Sequence, residues 1–366
     1  MQVVLLSGYH ARSHDAWCQR LEVMFPEWCW HRFLLEPRHF SWRVRGSSLA
    51  FSRTVPWSDL TPDVVIATSM TDVASLRGMV PALRSVPVIL YVHENQFAYP
   101  NQSVPKGLVD WQLTSIYSAL ASDAVIFNSE FNRTSFFAGA KQLFKRLPDY
   151  APLDCLKDLE RRSAVIPVPL DDRKIVQSDR IDALLDNPCD IVWNHRWEFD
   201  KGPERLKRIV DTLQHKQIEF RLHVVGEQFR QSPPVFDEIY QQLTAQQRGV
   251  WGFLDENDYL ALLSRSQCVL STAIHDFQGL SVLTGAVYGC KPITPNRLAY
   301  PEWFSRCYES HETSSAAEAE SAVAEILNPE PINSNLDALS MTELRKHYET
   351  LIRRTVDDFS GETSKN

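Results

Sequence analysis

Short apolar runs alternate with amphipathic stretches almost from end to end of this chain, and that alternation constrains its fold more than any other feature. In the first half Val3–Leu6, Val64–Ala67, Val88–Val92, Ala124–Phe127 and Ala164–Ile166 read as buried strands. The second half repeats the theme with Ile191–Trp193, Arg221–Val225, Val250–Phe253, Cys268–Ser271 and Pro292–Thr294. Between them Trp17/Leu21/Met24, Leu108/Trp111/Ser115/Ala119 and Tyr259/Leu262/Leu263 recur at helical spacing, the last opened by Asp255 as a cap. Continuously apolar strands separated by helices belong to parallel sheets covered on both faces. The expected class is therefore α/β, with two doubly wound, Rossmann-like parallel-sheet domains facing a central cleft. Pro167-Val168-Pro169-Leu170 and the polar residues up to Pro188 read as the junction. The boundaries expected are 1–170 and 171–345, with 346–366 a final helix and frayed tail; Leu344, Tyr348, Leu351 and Ile352 mark that helix.

A chain of 366 residues, 44% of them hydrophobic, is long enough for two cores. No window approaches a membrane-spanning run, and Met1-Gln2-Val3-Val4-Leu5-Leu6 enters a strand without a basic leader, so a cytoplasmic protein with no membrane partner is expected. The seven cysteines are scattered and form no CxxC pair, which favours reduced structural thiols over a disulfide framework or a metal site. A net charge of −8 argues against broad polyanion binding, DNA included, while leaving room for a local basic face. Only 13 residues are glycine, roughly half the usual 7% share, so phosphate would have to be held by other donors than glycine-rich loops.

Such donors stand in Asn194-His195-Arg196-Trp197-Glu198-Phe199-Asp200-Lys201-Gly202-Pro203-Glu204, which joins the strand Ile191–Trp193 to a helix read from Leu206, Ile209, Val210 and Leu213. A helix amino terminus at the carboxyl end of a sheet offers unpaired N–H groups, and Arg196 and Lys201 add two charges suited to a diphosphate. The same residues also fit a solvated turn in which Glu198 and Asp200 take up the charge.

Other strand ends carry similar groups. His93-Glu94-Asn95-Gln96 follows Val88–Val92 and runs into Phe97-Ala98-Tyr99-Pro100-Asn101, a polar and aromatic composition common in binding loops; His93 alone also fits a satisfied strand end. Gly226-Glu227-Gln228-Phe229 fits a close backbone approach to a ligand or a plain tight turn. His275-Asp276-Phe277-Gln278-Gly279 precedes a helix of Leu280, Leu283 and Val287 that Gly289 stops, so Asp276 fits a cap as well as a ligand contact. Trp42-Arg43-Val44-Arg45-Gly46-Ser47-Ser48 suits phosphate contacts and base stacking on RNA, and equally a salt-bridged surface turn.

Taken in order, these pieces resemble a family 4 retaining glycosyltransferase of GT-B fold, and more closely the tRNA-queuosine α-mannosyltransferase family. The resemblance rests on Ser41-Trp42-Arg43-Val44-Arg45, Phe51-Ser52-Arg53-Thr54-Val55-Pro56, Tyr91-Val92-His93-Glu94-Asn95-Gln96 with Tyr99-Pro100, and Phe127-Asn128-Ser129 with Phe131-Asn132. It continues through His195-Arg196-Trp197-Glu198 with Asp200-Lys201, Gly226-Glu227 and Tyr300-Pro301-Glu302, spanning about residues 1 to 305. It implies that Arg196 and Lys201 hold the donor diphosphate, that His93 lies against the transferred sugar, and that Asp276 fills the first acidic position of the family's Glu-x7-Glu motif. Gly226, Glu227, Gly279, Leu280 and Thr284 then belong to the donor site, and Arg12, His14, Trp42, Arg43, Arg45, Glu94, Asn95 and Gln96 to the acceptor site. The sequence departs from the pattern at Thr284, where a second glutamate is usual, and at Ala11-Arg12, where the family has a Gly-Gly loop.

The activity the resemblance implies is transfer of mannose from GDP-mannose to the cyclopentenediol of queuosine in tRNA, without a metal. Two alternatives stay open on the residues: a family 4 enzyme acting on a glycan or small molecule, and a noncatalytic nucleotide-sugar or RNA-binding relative.

Overall fold

In the computed structural model, which describes residues 1–98, 107–147, 149–172, 188–228, 232–311 and 314–363, the chain divides into two units. Met1–Pro169 and Ala338–Asn366 make the first, and Leu170–Asp337 the second.

The first unit contains β1 (Gln2–Ser7), α1 (Arg12–Met24), β2 (Cys29–Leu34), α2 (Phe40–Thr54), β3 (Val64–Thr68), α3 (Val73–Met79), β4 (Val88–Val92), α4 (Leu108–Leu120), β5 (Ala124–Phe127), α5 (Glu130–Phe144), α6 (Asp154–Arg161) and β6 (Ser163–Val165). Its six strands are parallel in the order β2-β1-β3-β4-β5-β6. β3 and β4 are buried along their whole length, as strands covered on both faces must be. On one face Val4, Leu6, Val65, Ala67, Leu90 and Val92 pack against Phe51 of α2, Leu76 of α3, Ile116 of α4 and Phe136 of α5.

The second unit contains β7 (Cys189–Trp193), α7 (Pro203–His215), β8 (Phe220–Val225), α8 (Val235–Gln242), β9 (Arg248–Gly252), α9 (Glu256–Arg265), β10 (Cys268–Leu270), α10 (Leu280–Val287), β11 (Lys291–Ile293), α11 (Tyr300–Trp303) and α12 (Ser315–Leu327). Its five parallel strands run β11-β10-β7-β8-β9. Pro203 opens α7, and Leu206, Ile209, Val210 and Leu213 form its buried stripe, as the spacing predicts. Asp255 caps α9 by accepting the Asp258 N–H at 2.9 Å.

The last helix, α13 (Met341–Thr363), corrects the expected boundaries, because residues from Ala338 onward belong with the first unit and not the second. The cause is burial: Tyr348 accepts a hydrogen bond from Trp17 Nε1 of α1 at 3.0 Å and donates one to the Pro167 carbonyl at 3.0 Å. Two further corrections concern the first unit. The edge strand β2 carries no sequence expectation, and Trp42-Arg43-Val44-Arg45 lies inside α2 and not in a surface turn. All seven cysteines are free thiols, and no helix among the described residues is long and apolar enough to cross a membrane.

Candidate functional sites at the strand ends

The loop after β7 is built around Lys201. Its Nζ donates to the His275 carbonyl at 2.7 Å and lies 3.5 Å from Asp276 Oδ2 and 3.4 Å from Asp200 Oδ2. Two short-range devices hold it there. Gly202 adopts φ +67 beside the Thr272 carbonyl, which a Cβ would meet at 2.2 Å, so only glycine lets the loop approach β10 this closely. The Thr272 hydroxyl donates to the Lys201 carbonyl at 2.8 Å and accepts from Trp193 Nε1 at 2.9 Å. The backbone N–H groups of Ile274 and His275 close the frame by donating to the Asp200 carbonyl at 2.9 and 3.1 Å.

Asp276 lies beside the start of α10, where its Oδ1 accepts the Gly279 N–H at 2.9 Å. Of the cap and the ligand contact that the sequence left as alternatives, the structure shows a cap-like bond from the turn before α10, where Gly279 is the capping residue, and adds the ion pair with Lys201. Burial raises its carboxyl, but Lys201, His195 and the Gly279 N–H outweigh that and hold it below the usual carboxylate range. Burial and the Lys201 charge push both His195 and His275 down to about 3, so the two imidazoles are neutral at pH 7. Arg196, its side chain half exposed, pairs with Glu198 at 3.0 Å. The compensating carboxylates expected of a solvated turn are therefore present, yet Lys201 is only 8% exposed. A buried ammonium with a carbonyl and two carboxylates around it is an organised electrostatic site and not a surface turn.

Gly226 ends β8 against this loop: a Cβ would meet the His195 carbonyl at 2.0 Å, and the Glu227 carbonyl accepts the Trp197 N–H at 2.9 Å. Thr284 is half-buried on α10, and its hydroxyl donates to the Leu280 carbonyl at 2.8 Å, which leaves it lone pairs but no proton for a ligand. Residues that the sequence reading passed over complete the frame. Arg297 donates to the carbonyls of Ala273 and Thr272 at 2.8 and 3.3 Å and pairs with buried Glu318 at 3.0 Å.

In the first unit His93 follows β4 and stacks on His14 of α1 with ring centroids 4.0 Å apart; Trp17 meets His93 edge-on at 4.8 Å. Burial, then His10, pushes His14 down to about 4, and burial and His14 hold His93 well below its ordinary value. Both rings are neutral hydrogen-bonding groups at pH 7. The structure gives Asn95 a scaffolding part: its Nδ2 donates to Asn132 Oδ1 at 2.8 Å and Ser135 Oγ at 2.9 Å, and its Oδ1 accepts from Phe97 N and Ala98 N. Asn132 and Asn128 brace the strand end by donating to the carbonyls of Val92 at 2.8 Å and His93 at 2.9 Å. Glu94 and Gln96 are half-buried and Arg12 is exposed. Trp42 is 57% exposed on α2, while Arg45 turns to Asp110 and Thr114 of α4 at 3.2 Å each. Tyr99, Pro100, Asn101 and Phe229 lie outside the described residues.

Solved structures with the same architecture include Anabaena HepE in complex with UDP and glucose, at TM-score 0.62 and 12% identity over 97% of this chain and 100% of that one. The catalytic domain of Arabidopsis thaliana starch synthase IV, bound to ADP and acarbose, gives TM-score 0.67 and 12% identity over 98% and 99%. The fold is accordingly that of the GT-B glycosyltransferases. A family model described as tRNA-queuosine alpha-mannosyltransferase N-terminal matches residues 2–170. The Drosophila melanogaster tRNA-queuosine alpha-mannosyltransferase is 32% identical over 280 residues, covering 75% of this chain and 74% of the relative. By that likeness the chain belongs to the tRNA-queuosine alpha-mannosyltransferase family.

Proposed function

We propose that this enzyme transfers mannose from GDP-mannose to the cyclopentenediol of queuosine in tRNA, with retention at the sugar carbon and without a metal, in the cytoplasm where both substrates meet. The observation that carries the reading is the buried Lys201 ammonium, fixed between the His275 carbonyl and the Asp276 carboxylate beside the start of α10. Such a cation, with Arg196 from the same loop, stabilises negative charge as it builds on a departing diphosphate. One preorganised donor of this kind is worth about 3 kcal/mol of barrier.

The remaining groups have matching parts. Asp276 is held ionised, and its Oδ2 accepts from hydroxyls of the transferred sugar. His93 is a neutral imidazole and hydrogen-bonds a hydroxyl without adding charge. The fitting route is front-face transfer, in which the leaving diphosphate takes the proton of the attacking acceptor hydroxyl and the carboxylates around Lys201 serve to hold the cation and the sugar. Two cations then do the neutralising that a metal does elsewhere.

The test is incubation of the enzyme with queuosine-containing tRNA and a panel of nucleotide sugars, read by mass spectrometry of the released nucleosides. A hexose added to queuosine from GDP-mannose alone is the expected result. Transfer to a free glycan, with none to tRNA, would replace the acceptor assignment.

A further inference from the structure

The carboxyl ends of β1 and β3 in the first unit carry hydroxyls that no described residue hydrogen-bonds. Ser7 Oγ, Thr68 Oγ1 and Thr71 Oγ1 are buried, at 0%, 0% and 1% residue exposure, and none has a hydrogen-bond partner among the described residues. Buried polar groups are nearly always paired, because an orphan costs about 1–3 kcal/mol, so three together call for an explanation.

They lie side by side. Leu6 is in register with Ala67, which sets Ser7 beside Thr68, and Thr68 is in register with Tyr91, two residues before His93. Thr71 N donates to the Thr68 carbonyl at 2.9 Å. At the same edge, His93 Nε2 and the Nδ1 of the stacked His14 are also buried without a hydrogen-bond partner among the described residues.

The loop does not need these hydroxyls for its own structure. Ser47 donates to the Met70 carbonyl at 3.0 Å, Ser48 to the Asp72 carbonyl at 2.6 Å, and Asp72 caps α3 by accepting Ser75 N at 3.0 Å. The backbone is thus secured from α2 and by its own cap, leaving Thr68 and Thr71 spare.

From this juxtaposition we infer that Ser7, Thr68 and Thr71, with the imidazole of His14 and beside the His93 that faces the transferred sugar, form a recognition site for a neutral vicinal diol, the reacting group of the acceptor. Hydroxyls and neutral imidazoles each both donate and accept, which matches the two hydroxyls of a diol. The set contains no cation, so it does not suit a phosphate, whereas Lys201 and Arg196 in the second unit do. A site built from buried hydroxyl partners also rejects a substrate lacking the diol, since the orphans would stay unpaired. The inference rests on the proposed transfer to queuosine and names three residues that determine its selectivity.

The experiment uses the full chain and the variants Thr68→Val and Ser7→Ala. Each is compared for binding to the same tRNA with queuosine and with guanosine at that position, and for GDP-mannose binding by calorimetry. The wild type should prefer the queuosine form, and each variant should lose about tenfold of that preference while keeping its GDP-mannose affinity. Thermal melting checks both folds, and Ser7→Ala, which removes a single oxygen, carries the test if Thr68→Val melts early. Undiminished preference in folded variants overturns the diol site while leaving the transfer assignment standing. Weakened GDP-mannose binding with unchanged preference also overturns it, by giving the hydroxyls to the donor. A wild type without preference for queuosine removes the proposed function and the diol site together.

Discussion

Lys201 Nζ donates to the backbone carbonyl of His275 at 2.7 Å, a bond that joins the loop after β7 to the loop after β10 across 74 residues of sequence. Because the acceptor is a backbone atom, the ammonium's position is set by the fold and survives changes in nearby side chains. That is the preorganisation a leaving-group cation needs.

Lys201→Ala and Arg196→Ala should each lower turnover by about a hundredfold, but they should differ in stability. Removing Lys201 strips the countercharge from Asp200, which is fully buried, and from Asp276, at a cost of about 3 kcal/mol or more. Arg196 is half exposed, so its loss should change stability little. Steady-state rates paired with urea unfolding separate the two, and near-normal turnover in both variants would remove the donor assignment.

Thr284→Glu should tighten binding of GDP-mannose. The threonine hydroxyl gives its proton to Leu280, so toward a ribose it offers only weak neutral acceptance, whereas a carboxylate accepts both ribose hydroxyls with charge assistance. Calorimetry on the two proteins decides it. Weaker binding in the variant would mean that the ribose is held elsewhere than at α10.

Much of this site was legible because buried parallel strands leave continuous apolar runs, and their carboxyl ends then locate the loops that matter. The strands at Val88–Val92 and Ala124–Phe127 coincide with the expected runs residue for residue. β2 was hidden because Cys29–Leu34 is a half-exposed edge strand with no continuous apolar run. α2 was hidden because its buried stripe includes Gly46, Ser47 and Ser48, which carry no hydrophobic signal, and because its amino terminus has no capping side chain. The parts of Asn95, Asn128, Asn132, Arg297 and Glu318 were also out of reach. Their partners lie tens of residues away, and spacing along the chain carries no trace of them.

Trp42→Ala should weaken tRNA binding by about 1–3 kcal/mol without unfolding the protein, since its indole rests on Gly46 and still keeps more than half of its surface exposed for stacking on a base. Arg45→Ala should shrink the slope of log affinity against log salt by less than a full phosphate contact, because Asp110 already shares its charge. Filter binding across a salt series reads both. A slope untouched in Arg43→Ala and Arg45→Ala alike would move the tRNA contact away from α2.

Stability should fall steeply on mild acidification. A histidine held neutral by the fold has a lower pKa folded than unfolded, so below about 6.5 the unfolded chain binds the extra proton and gains. For His14, folded pKa about 4, the loss runs from about 6.5 down to about 4; for His195 and His275 it continues to about 3. Above about 6.5 all three are neutral in both states and contribute nothing. Within the window each histidine removes about 1.4 kcal/mol per pH unit, so unfolding free energy should drop by several kcal/mol between pH 6.5 and 4.5. His14→Gln should flatten that fall by its own share and leave the rest. Urea unfolding at half-unit steps of pH measures it, and a flat profile over this range would mean that these imidazoles are not buried as neutral groups.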